Sequence, residues 1–78
     1  MSTSVVDSAA VDVHVSDSAL TVVLRDRREI TVPLEWFPPL RNATPAERTQ
    51  WRIIGDGEGI HWPALDEDLS VEGLLRAH

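Results

Sequence analysis

The chain contains no cysteine and no lysine. Without cysteine there is no disulfide framework to support a small fold, and thiol chemistry is excluded. A zinc site would have to be built from His, Asp and Glu alone, and His14, His61 and His78 are far apart in sequence. No serine lies in a Gly-x-Ser-x-Gly elbow. With no lysine to meet a phosphate, Gly55-x-Gly57-x-Gly59 fits neither a P-loop nor a GxGxxG turn. It reads as a flexible hairpin tip in which Asp56-Gly57 suits a tight turn. No apolar run approaches the roughly 20 residues needed to cross a bilayer. The amino terminus lacks the positive flank and long apolar stretch of a signal peptide, so a cytoplasmic protein is expected and the Asn42-Ala43-Thr44 sequon carries no glycan. Basic charge is also scarce: seven arginines stand against 13 acidic residues, for a net charge of −6. Nucleic-acid binders need a basic stripe that displaces counterions from phosphates. Arg25, Arg27 and Arg28 do cluster, but at an expected hairpin tip, where a solvated turn is the plainer reading.

The length of 78 residues leaves room for one domain. Residues 1–8 are small and polar and read as a flexible arm, which leaves 9–78 as the folded unit. At 26% charged and 42% hydrophobic residues, the composition is that of a globule rather than a disordered tail. A chain this short buries only roughly 60% of its unfolded surface. With disulfides excluded and a metal disfavoured, a partner chain is the remaining source of support.

Period-two alternation begins near Ala9. Val11, Val13 and Val15 form one face of an expected strand, opposite Asp12, His14 and Ser16. A second strand carries Leu20, Val22 and Leu24, and a third Ile30, Val32 and Leu34. Pro33 has no amide hydrogen and places the third strand at an edge or at its own end. Trp36, Phe37 and Leu40, with Pro38 and Pro39 bending the chain, are expected to cover the open face of the sheet. Thr44, Pro45 and Glu47 spell a capping box with proline at the first helical position, giving a short helix to about Gln50. Residues 51–54 and 60–62 read as a small hairpin stopped by Pro63. Asp66-Glu67-Asp68-Leu69-Ser70 is expected to lead into a final helix with Val71, Leu74 and Leu75 inward, capped by Asp68 or Ser70. The fold class is therefore α+β: an antiparallel meander of three strands plus a short hairpin, covered by two short helices.

Four blocks of residues now stand in order: Pro33-Leu34-x-Trp36-Phe37-Pro38-x-Leu40; Asn42-Ala43-Thr44-x-x-Glu47-Arg48-x-x-Trp51; Gly55-x-Gly57-x-Gly59-Ile60-His61-Trp62-Pro63; and Leu65-Asp66-Glu67-Asp68-Leu69-Ser70. In this order they resemble the bacterial domain-of-unknown-function family 2442, over nearly the whole chain from about Ala9. The chain departs from the family pattern at Asp26-Arg27, where relatives usually carry Asp-Gly. The resemblance implies a compact α+β domain and supplies no mechanism, since no enzymatic activity is established for the family. Some relatives carry a helix-turn-helix domain behind this one. Others are short proteins encoded beside another small protein, in the manner of toxin–antitoxin pairs.

The run Asp66-Glu67-Asp68, with Asp56, Glu58 and His61 near it in sequence, is the best candidate for metal or acid–base chemistry. As a calcium loop it fails, because Val71 stands where the sharp turn demands glycine. Four large aromatics, Trp36, Phe37, Trp51 and Trp62, are many for so thin a core, and tryptophan is enriched at interface hot spots. Trp36 and Trp62 are the foremost candidates for exposure, and Trp36, Phe37, Trp62, Asp66 and Asp68 form the candidate partner-binding set. The expected function is a non-enzymatic protein-interaction module without a cofactor or catalytic residue. It would be an antitoxin-like partner of a small, basic neighbouring protein, or a homodimer. Two alternatives are a nucleic-acid-associated regulator, disfavoured by the charge, and a small metal-binding protein using Asp66, Asp68 and His61.

Overall fold

The computed structural model describes residues 8–77. The expected arm lies outside the described residues apart from Ser8. Among the described residues six strands form two antiparallel sheets, accompanied by three short helices. The first is a meander of β1 (Ala10–Val15), β2 (Ala19–Leu24) and β3 (Glu29–Pro33), in that spatial order. A 3-10 turn over Leu34–Trp36 leads into α1 (Pro38–Arg41) and α2 (Pro45–Arg48). The second sheet is a meander of β4 (Arg52–Ile54), β5 (Gly59–Trp62) and β6 (Glu67–Ser70), followed by α3 (Val71–Ala77).

The α+β class read from the sequence is the one observed, with two refinements. The expected hairpin of residues 51–62 is extended to three strands, because Glu67–Ser70 is a strand and not a helix lead-in. Along it Glu67 and Leu69 are half-buried while Asp68 and Ser70 are exposed. That is period-two alternation, concealed in the sequence because three of the four residues are polar. The second refinement concerns helices: Pro38–Arg41 closes a further short turn of helix behind the two prolines.

β2 and β3 bury the residues expected of them, with Leu20, Val22, Ile30 and Val32 nearly inaccessible. β1 does not. Ala10 and Val13 are buried, whereas Val11 is 46% exposed. The register explains this, since Ala10 faces Leu24 and Asp12 faces Val23, leaving Val11 without a partner. The extra residue is a bulge, and a bulge shifts the in–out phase by one residue. The Asp12 carboxylate accepts the Val13 amide at 2.8 Å beside it.

The loop from β2 to β3 is a turn in which Leu24 O accepts the Arg27 amide at 2.9 Å, and the Leu24 amide donates to Arg28 O at 2.8 Å. Arg27 has φ 76°, the left-handed position that a three-residue hairpin loop usually gives to glycine. The capping box of α2 is formed as expected: Thr44 Oγ1 accepts the Glu47 amide at 3.1 Å, and Glu47 Oε1 accepts the Thr44 amide at 2.9 Å. At α3, Ser70 Oγ accepts the Gly73 amide at 3.0 Å, so Ser70 caps and Asp68 does not.

The core draws on both sheets. Leu20, Leu24, Leu34, Leu40, Ile60 and Trp62 are its largest fully buried side chains, joined by Val71 and Leu74 of α3. Trp62 sits at its centre with no exposed surface. A buried indole needs a hydrogen-bond acceptor, and here Trp62 Nε1 donates to the carbonyl of Arg48 at 3.1 Å.

Candidate functional site

The residues singled out in the sequence fall into three places. Trp62 leaves the surface set altogether: β5 turns Ile60 and Trp62 to the inner face, and both are fully buried. Its neighbour His61 points to the outer face, where the register sets it between Arg52 of β4 and Asp68 of β6. His61 Nδ1 and Asp68 Oδ1 are hydrogen-bonded there. Asp66 does not join them. It occupies the turn before β6 with φ 52°, its amide donating to Pro63 O at 3.3 Å. Among the described residues no three His, Asp or Glu side chains are grouped to hold a metal ion. His61 and Asp68 thus form a cross-strand pair on a solvated face, the arrangement that stabilises neighbouring strands.

Trp36, Phe37 and Asp68 do come together. β3 ends at Pro33, and Leu34 plugs the core. The 3-10 turn then throws Trp36 outward, 47% exposed, while Phe37 packs half-buried against the core. Across from them run β6 and α3. Between lies a shallow groove of about 420 Å³, lined by Trp36, Phe37, Asp68, Leu69, Gly73 and Leu74. Its floor is apolar, and Gly73 leaves it without a side chain at one point. Glu35, Glu67 and Glu72 adjoin the lining residues in sequence, and Glu72 is paired with Arg76 at 3.0 Å. The groove is shallow and open to solvent.

Within the arginine cluster, the Arg28 side chain is engaged in its own turn. Arg28 donates from Nε to Asp26 Oδ2 at 2.7 Å and from its amide to Asp26 Oδ1 at 3.0 Å. It also reaches Ser8 Oγ at 3.4 Å. Receiving the Arg28 amide holds the Asp26 carboxyl below its ordinary value. Burial works against that lowering, and the Arg28 guanidinium adds to it.

One residue that sequence reasoning passed over organises the whole region. Arg48 is 8% exposed, yet its guanidinium is fully engaged. Nε donates to Leu40 O at 2.9 Å, Nη2 to Arg41 O at 2.8 Å and Nη1 to Asp17 Oδ1 at 3.0 Å. It thereby satisfies carbonyls at the end of α1 and ties them to the β1–β2 turn. The available sequence signal was its place one turn after Thr44 on a helix whose other face is polar.

The sequence model of the family described as protein of unknown function (DUF2442) matches residues 10–78. Among curated proteins none matches the chain. Among solved structures, the chain is similar to a protein of unknown function from Rhodospirillum rubrum ATCC 11170, known from its crystal structure. The two are 28% identical and superpose with a TM-score of 0.75, over 88% of this chain and 86% of that one. No helix among the described residues is long and apolar enough to cross a membrane.

Proposed function

The chain belongs to the DUF2442 family, whose description assigns no activity, and from its own surfaces we propose that it is a non-enzymatic protein-interaction module of the cytoplasm. The observation that carries this reading is the half-exposed indole of Trp36 beside the groove formed with Phe37, Leu69 and Leu74. An exposed tryptophan next to apolar surface is the composition of an interface hot spot. The net charge of −6 favours a basic partner, toward which electrostatic steering speeds encounter. An antitoxin-like role beside a small neighbouring protein fits both features.

The test is co-expression of the chain with the product of the adjacent gene, followed by affinity capture and light scattering. A stoichiometric complex that weakens in high salt is the expected result. A chain that remains monomeric and retains neither that product nor a second copy of itself would remove the proposal.

A further inference from the structure

The two sheets have four edges, and three of them resist pairing with another strand. β1 is interrupted by the bulge at Val11, β3 terminates in Pro33, and β4 is three residues long. β6 differs. Its register with β5 runs unbroken from Glu67 to Ser70, it contains no proline, and among the described residues no strand pairs with its other margin. Asp68, Leu69 and Ser70 line a groove with Trp36, Phe37, Gly73 and Leu74, and no residue of β4 or β5 joins them, so the groove lies on the unpaired side of β6.

Resting on the interaction reading above, we infer that the β6 margin receives an extended segment of the partner as a fourth strand of the second sheet, and that this segment carries arginine or lysine. Backbone groups of β6 supply the ladder, and the apolar groove takes alternate side chains, as in strand addition generally. Charge decides the occupant. Two copies of a chain with net charge −6 repel each other, whereas a basic segment is attracted to the run Asp66, Glu67 and Asp68. A basic strand meets Asp68 on the outer face and Glu67 on the inner one. Trp36, 47% exposed, lines the same groove, and an exposed indole can take a cationic side chain on its face.

The probes are a short alternating Arg/Val peptide, its Glu/Val counterpart, and the Arg/Val peptide N-methylated at alternate amides. Binding is followed by tryptophan fluorescence, and the site is located by amide hydrogen exchange. The Arg/Val peptide is expected to bind at least about tenfold more tightly than the other two, protecting β6 amides. Trp36→Ala and Asp68→Arg, both at exposed positions, are each expected to weaken it about tenfold while leaving the circular dichroism unchanged. Equal binding of all three peptides, protection confined to other strands, no binding, or indifference to both substitutions would overturn the inference. A partner protein captured equally by wild type, Trp36→Ala and Asp68→Arg would overturn it while leaving the interaction reading intact.

Discussion

The indole nitrogen of Trp62 donates to the backbone carbonyl of Arg48 across 3.1 Å of buried interior. That bond joins the centre of the second sheet to the last residue of α2. The Arg48 guanidinium then reaches on to Leu40 O, Arg41 O and Asp17. Helix ends leave carbonyls without partners, and a buried one is costly. Here a single side chain supplies a donor to Arg41 O and a further one to Leu40 O, which also accepts the Ala43 amide at 3.2 Å.

Arg48→Lys is therefore expected to be far from conservative. An ammonium cannot reproduce the planar fork, and the acceptors at Leu40 O, Arg41 O and Asp17 cannot all keep their bonds. The loss is expected to be about 2–3 kcal/mol. Thermal unfolding checks it, at roughly 4–8 °C of Tm per kcal/mol for a domain of this size. A Tm within a degree or two of wild type would show that the fork is dispensable.

Arg27→Gly is expected to stabilise the protein. Arg27 sits at φ 76°, a conformation that costs an L-residue roughly 1–2 kcal/mol and glycine almost nothing. Part of that gain is offset by the greater freedom of glycine in the unfolded chain, leaving a net gain of about 1 kcal/mol. Urea titration reads the change as a shift of midpoint at constant slope. A midpoint that stays or falls would mean that Arg27 makes compensating contacts.

The same turn sets an acid sensitivity. The Asp26 carboxyl is held below its ordinary value of 3.8, first by the Arg28 amide. A carboxyl depressed by folding contributes stability that is complete above its unfolded value and is lost as pH falls through the lower folded one. Asp26→Asn is expected to be less stable than wild type at neutral pH, with the difference closing as pH drops below 3.8. Denaturation of both proteins across an acid series measures it. A gap independent of pH would rule out the ionised carboxylate as its source.

Gly57→Ala is expected to destabilise on two counts. Its φ of +97° is closed to L-residues, and an added methyl would lie 2.6 Å from Ala9 Cβ and 2.9 Å from the Ala10 nitrogen. Backbone strain of this kind costs about 1–3 kcal/mol before the clash is counted. A Tm equal to wild type would show that the turn swings away from β1 without cost.

Much of this architecture was legible in the chain because simple periods and caps wrote it there. Leu20, Val22, Leu24, Ile30 and Val32 alternate without interruption, and each is buried. Thr44, Pro45 and Glu47 form their cap from local geometry alone. What escaped reading depends on contacts across the fold. β6 hides its alternation behind Glu67, Asp68 and Ser70, because an edge strand with a solvated face needs few apolar residues. The burial of Trp62 follows from which face of β5 meets the first sheet, a matter of tertiary packing. Of the candidate surface residues, Trp36, Phe37 and Asp68 converge on one groove, whereas Asp66 stands at the turn beyond it.

The bulge in β1 has an architectural outcome as well. With Val11 turned to the solvent, the residues that meet the Gly57 turn are Ala9 and Ala10. The seam between the amino-terminal and carboxy-terminal halves is thus sealed by the smallest building blocks in the protein. Bulk added on either side of that joint would pry the halves apart from within.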